Sequence, residues 1–175
     1  MESSFGLFDY RTMTTFYTVL KNLKIDKQGL VNFFYKNKDT LLRKYTWKNK
    51  VWDFYVMSPL PYDEYKNNLG KHIDNRAFCT SYEFVYMPPG YDMEIHKDNY
   101  SIGSRIGVLL EGTAGLNFYD DLHNPLDTFD YHAPVLFDIR VNHNVINKSD
   151  KWRLSFFINF VETYDITKKR FLNLQ

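Results

Sequence analysis

From Ser81 onward the chain breaks into short runs of β-branched and aromatic residues divided by turn signals, and this texture limits the folds open to it. "YEFVYM" is followed by Pro88, Pro89 and Gly90, a turn. "DMEIHKD", "SRIGVLLEG", "GLNFYDD", "YHAPVLFDI", "HNVIN" and "WRLSFFINF" continue the series. The last run alternates. Leu154, Phe156, Ile158 and Phe160 fall on one face of a strand, and Arg153, Ser155, Phe157 and Asn159 on the other. Strands this short, confined to the second half, predict a sandwich or barrel with helices packed outside it.

Residues 1–80 read as a mixed, partly helical region. Met13, Phe16, Tyr17 and Leu20 have the spacing of one helix face. Asp26 is placed to cap a second helix with Leu30, Val31, Phe34 and Tyr35 turned inward. "KDTLLRKYTWKN" is a poorer helical candidate, and "SPLPY" reads as a loop. Without an internal repeat or linker, the chain is expected to form a single domain: a helical or mixed region over 1–80, a β core over 81–162 and a tail over 163–175.

The 175 residues are 44% hydrophobic and 18% aromatic, enough for a filled core and too apolar for a disordered chain. The net charge is +1 with dispersed lysines, so neither nucleic acid nor an anionic membrane is an expected partner. Cys79 is the sole cysteine, which excludes an internal disulfide. With no secretory leader and no long apolar run, a reducing, cytoplasmic setting is expected, with Cys79 a buried structural thiol.

The chemistry-bearing residues lie in the β half. In an extended segment His96 and Asp98 point the same way, roughly 6.6 Å apart along the backbone, while Lys97 points away. A distant strand can bring His143 to the same point. Two imidazoles and one carboxylate occupy one face of a ferrous ion and leave the other positions open, unlike a closed structural zinc site. Arg153 lies downstream of His143 and shares a strand face with Ser155. A buried guanidinium needs a counterion. A dicarboxylate would supply one through a bidentate contact, with the Ser155 hydroxyl adding a bond; an internal pair with Asp138 is the alternative. His72, His123 and His132 have no such partners and read as structural or solvated.

The segments "IHKD", "SRIGVLL" and "APVLFDIRVNHNVINKSDKWRLSFFINF" resemble the aspartyl/asparaginyl β-hydroxylase branch of the Fe(II)/2-oxoglutarate-dependent dioxygenases. The run H-x-V-x-N-x-S-D-x-x-R, from His143 to Arg153, is its most specific part, and the likeness extends from Met87 to Phe160. It implies a mainly β, double-stranded β-helix (jelly-roll) core with flanking helices from the N-terminal half. It implies Fe(II) on His96, Asp98 and His143. It also implies 2-oxoglutarate with its far carboxylate on Arg153 and Ser155, and Arg105 helping to hold the carboxylate near the metal. Some members of the branch lack the carboxylate ligand; Asp98 implies the full triad here and disfavours halogenation.

The implied activity consumes 2-oxoglutarate and dioxygen, hydroxylates a C–H bond of an amino-acid or peptidyl side chain, and releases succinate and carbon dioxide. Tyr91, Tyr100, Tyr119 and Trp152 are candidates to line the pocket, and Asn147 or Tyr119 to fix the imidazole tautomers. The alternatives are a non-catalytic jelly-roll module that binds metal or ligand, a cupin-type enzyme without 2-oxoglutarate, and an interaction protein acting through its first half.

Overall fold

The computed structural model describes residues 16–47, 50–57, 79–98 and 102–172. In chain order its elements are β1 (Tyr17–Val19), α1 (Lys27–Leu41), β2 (Arg43–Trp47), β3 (Lys50–Met57), β4 (Cys79–Met87) and β5 (Ser104–Glu111). There follow β6 (Gly115–Tyr119), β7 (Pro125–Asp130), β8 (Val135–Phe137), β9 (Asn142–Ile146), β10 (Arg153–Phe160) and α2 (Tyr164–Leu172).

The strands form two antiparallel sheets. The larger runs β1-β8-β5-β10-β4-β3-β2 and the smaller β7-β6-β9. This is the jelly-roll arrangement, mainly β with two helices among the described residues. The segment carrying His96 extends the small sheet without forming a regular strand. His96 and His143 exchange backbone hydrogen bonds of 3.0 and 2.9 Å, and the Asp98 N–H donates to the Ile139 carbonyl.

β10 lies at the centre of the large sheet, between β4 and β5, and all of its residues are buried. Its alternation decides what each side covers. Leu154, Phe156, Ile158 and Phe160 pack under the helices with Leu30 and Phe34 of α1 and Tyr164 and Phe171 of α2. Phe157 faces the small sheet and joins Leu116, Phe118 and Val145 in the core between the layers. Each such buried side chain contributes about 1.5–3 kcal/mol. That leaves Arg153, Ser155 and Asn159 as polar groups on an interior face.

α1 starts where its cap requires: the Asp26 carboxylate accepts the Gly29 N–H at 2.9 Å. Leu30 and Phe34, one turn apart, are its buried residues, whereas Tyr35 stays exposed.

Three expectations are corrected. The stretch from Phe16 to Leu20 is not helical: Tyr17–Val19 pairs with β8, and Tyr17 stacks on Phe118 at 5.7 Å. Burying aromatic rings against the small sheet outweighs a helical spacing whose first member, Met13, lies outside the described residues. The run "KDTLLRKYTWKN" divides, its start closing α1 and Arg43–Trp47 forming β2 against β3. Its β-branched and aromatic residues suit a hairpin better than a helix. The C-terminal segment expected as a tail contains α2, anchored by a 2.8 Å hydrogen bond between Thr167 and Ser104 hydroxyls. The first half thus supplies three strands of the large sheet as well as a helix. β7 went unread because Phe129 is its one buried residue, giving little alternation to see. "SPLPY" and the Cys79 side chain lie outside the described part. Among the described residues no helix is long and apolar enough to cross a membrane.

Candidate metal centre

The paired backbones of His96 and His143 carry their imidazoles to one point, with ring centres 4.6 Å apart. Asp98 reaches the same point from two residues on, its Oδ1 lying 3.4 Å from His96 Nε2 and its Oδ2 3.9 Å from His143 Nε2. One ligand atom from each residue falls within 4.8 Å of the others, a spacing from which small side-chain rotations bring all three onto one ion. The Nδ1 atoms of both rings lie against backbone carbonyls, His96 on Glu94 at 2.8 Å and His143 on Val141 at 2.9 Å. Placing the protons on Nδ1 leaves both Nε2 lone pairs aimed inward. Backbone carbonyls therefore do the orienting expected of Asn147 or Tyr119. Asn147 instead ties together the carbonyls of Pro88 and Lys151, and Tyr119 donates to Asn144.

The electrostatics suit a cation. Burial pushes the His143 imidazole down to about 4, so it stays neutral and keeps its lone pair at neutral pH. Burial alone would raise the Asp98 carboxyl, but Arg105 and the two imidazoles hold it well below the usual carboxylate range. Its Oδ2 is buried without a hydrogen bond, although Arg105 Nη1 stands 3.1 Å away. Arg105 supplies this oxygen with charge but no hydrogen bond, so a metal ion bound here would complete its surroundings. Two imidazole nitrogens and one such carboxylate fit a divalent first-row metal with open positions.

Two arginines face this centre from neighbouring strands. Arg105 was expected to hold a cosubstrate carboxylate, but its guanidinium is already engaged: Nη2 with Glu83 at 3.0 Å, Nη1 with Asp98, and Nε with Asn159 Oδ1 at 2.6 Å. Glu83 and Asp98 raise its pKa against the effect of burial. Arg153 is fully buried and meets no carboxylate among the described residues. Its Nη1 donates to Met87 Sδ at 2.8 Å, its guanidinium lies over the Tyr131 ring at 5.3 Å, and Nε and Nη2 make no hydrogen bond. Burial lowers its pKa to about 10. Asp138, the alternative partner, is bound to Arg140 at 2.7 Å. Ser155 is buried beside it with an unpartnered hydroxyl.

A cavity of about 240 Å³ connects these groups, with His96, Asp98, His143, Arg105 and Arg153 in its wall. Ser155 shares the strand face but does not reach the lining. The cavity is also lined by Tyr45, Trp52, Phe54 and Val56 of β2 and β3, further along the sheet that carries Glu83, Arg105 and Arg153; sequence reasoning missed them. The alternation of Trp52, Phe54 and Val56 in "KVWDFYVM" was their available signal. Of the aromatics expected here, Tyr91 packs behind Phe54, Trp152 stacks on Tyr86, Tyr119 does not line the cavity, and Tyr100 lies outside the described residues. His123 occupies an exposed turn at φ 64° and His132 is exposed beside Phe129, while His72 is outside the described part.

No protein-family model and no curated protein matches the sequence. Solved structures do match the fold. The non-heme alpha-ketoglutarate-dependent epimerase SnoN from nogalamycin biosynthesis aligns with TM-score 0.58 and 11% identity, over 83% of this chain and 77% of that one. A 2OG-Fe(II) oxygenase family oxidoreductase from Burkholderia pseudomallei aligns with TM-score 0.49 and 13% identity, over 76% and 79%. The CENP-C cupin domain of Drosophila melanogaster aligns with TM-score 0.43 and 8% identity, over 67% and 74%. At this identity the likeness to SnoN is one of fold alone.

Proposed function

We propose that the chain is an Fe(II)- and 2-oxoglutarate-dependent dioxygenase that hydroxylates a C–H bond of an amino-acid or peptidyl side chain and releases succinate and carbon dioxide. The observation that carries this reading is the pairing, across one cavity, of the His96, Asp98 and His143 cluster with a buried arginine that lacks an anionic partner among the described residues. A structural zinc site would have no use for that arginine.

The geometry supports the following roles in this reading. His96 and His143 offer their Nε2 lone pairs, and Asp98 offers a carboxylate oxygen. Arg153 receives the far carboxylate of 2-oxoglutarate through the Nε and Nη2 donors that lack partners, and the poor thioether acceptor Met87 gives way to it. Ser155 stands by with one more donor. Arg105 acts on the protein's own carboxylates, holding Asp98 ionised and aligned. Iron bound here would supply dioxygen activation, with 2-oxoglutarate as the co-reductant. The apolar wall from β2 and β3 excludes water and presses the substrate towards the metal side.

Anaerobic addition of Fe(II) and 2-oxoglutarate is expected to produce a weak visible charge-transfer band. His96→Ala and Arg153→Ala should each abolish it. Absence of the band in the parent protein overturns the reading. Aerobic succinate release then separates an oxygenase from a module that only binds metal.

A further inference from the structure

The aromatic part of the cavity wall constrains the substrate. Tyr45 stacks on Phe54 with ring centres 4.9 Å apart, and Trp52 stands edge-on to Phe54 at 6.1 Å. Trp52 is also 6.0 Å from the His96 ring, so this wall adjoins the site of chemistry. Its indole N–H is buried and has no acceptor among the described residues.

The polar wall is balanced. Among the described residues, the carboxylates and guanidiniums lining the cavity are Glu83, Asp98, Arg105 and Arg153. Glu83 and Asp98 share Arg105. Under the function proposed above, Arg153 is matched by the far carboxylate of 2-oxoglutarate. The divalent metal then balances Asp98 and the near carboxylate. Two guanidiniums and a divalent cation stand against two protein carboxylates and a dianion, and no charge is left over. A carboxylate substrate would meet Glu83 and Asp98 with no free cation, and an ammonium would meet no free anion. Either would be desolvated without compensation.

We infer that the substrate group entering this site is uncharged and apolar, lies against Tyr45, Trp52 and Phe54, and brings one hydrogen-bond acceptor to the Trp52 N–H. An aliphatic or aromatic side chain next to an amide carbonyl has this chemistry; aspartate and lysine side chains do not. The inference rests on the proposed iron and 2-oxoglutarate site.

The test uses the full chain loaded anaerobically with Fe(II) and 2-oxoglutarate. The N-acetyl amides of leucine, phenylalanine, aspartate and lysine are titrated in by calorimetry. The leucine or phenylalanine amide should bind at least about tenfold more tightly than either charged one, the scale of a modest uncompensated desolvation. Trp52→Phe keeps a flat ring and deletes the N–H. It should weaken the preferred amide about threefold to tenfold, the size of one neutral hydrogen bond, while the visible band of the loaded protein confirms the fold. A charged amide that binds as well as the neutral ones, or no discrimination among the four, overturns the inference and leaves the proposed function standing. Failure to form the loaded complex overturns both.

Discussion

The two arginines that line the cavity have the same chemistry and opposite surroundings. Arg105 on β5 contacts two carboxylates and an asparagine oxygen. Arg153 on β10 contacts a thioether and the face of a tyrosine. A buried cation with its counterions built in holds a structure together. One without them lowers stability until something outside the chain supplies the anion. The contrast separates a positioning arginine from a receiving one, and substitutions at the two positions should therefore move stability and binding in different directions.

The largest effect is expected from breaking the balanced end. Arg105→Met leaves Glu83 and Asp98 facing each other without a cation, which should cost about 3–5 kcal/mol in urea unfolding. Metal affinity should fall as well, because Asp98 loses the contact that aligns it. Unchanged stability would show that Arg105 is not the counterion its contacts indicate.

Arg153→Met should do the reverse. It deletes an uncompensated charge, so the metal-free protein should unfold at the same or higher urea concentration. The dissociation constant for 2-oxoglutarate should rise close to a thousandfold, about 4 kcal/mol for two charge-assisted bonds. Titration of the iron-loaded protein with 2-oxoglutarate measures it. If Arg153→Met destabilises as strongly as Arg105→Met, the two arginines do not differ in kind.

Acid should loosen the metal end through His143. Its folded pKa of about 4 lies below its ordinary value of 6.5, so between these the unfolded chain binds more protons. Stability of the metal-free protein should therefore fall as pH drops from about 6.5 to about 4, by about 3 kcal/mol in all. Asp98 acts in the same direction over a lower range: its depressed carboxyl adds stability above its ordinary value of 3.8, lost only at more acid pH. Urea unfolding at a series of pH values, repeated with His143→Gln, isolates the contribution of the histidine. A slope that persists in the variant assigns it elsewhere.

The difference between the arginines was half legible in the sequence. Arg153 could be placed because alternation along one strand puts it with Ser155 on the face away from Leu154 and Phe156, and both faces of β10 proved to be interior. The engagement of Arg105 could not. Its partners come from β4, β10 and the segment carrying His96, and the register that sets Asn159 opposite Arg105 and Phe157 opposite Glu83 brings the first two together. The cluster of His96, Asp98 and His143 was readable from an H-x-D spacing and one distant histidine. The aromatic wall was hidden for another reason: helical spacing in the first half drew attention from the hairpin, where Trp52 and Phe54 are the buried residues of an exposed-looking strand. Local periodicity reports a strand's faces, whereas sheet order decides what those faces meet.

Ser155 gives the smallest and finest test of the receiving end. Its hydroxyl is buried without a partner, a state that costs free energy and that native proteins rarely retain without use. It lies on the Arg153 face of β10, one pleat further in. If it donates to the carboxylate that Arg153 receives, Ser155→Ala should raise the 2-oxoglutarate dissociation constant about threefold to tenfold, the worth of about 0.5–1.5 kcal/mol. The metal-free protein should lose no stability, since an unsatisfied polar group is removed and no contact is broken. If it serves only to fill space, alanine leaves a gap the size of one oxygen atom, and the variant should unfold more easily with 2-oxoglutarate affinity unchanged. The two outcomes differ in which measurement moves, so a single variant decides whether the receiving end consists of the guanidinium alone or of the guanidinium and a hydroxyl set behind it.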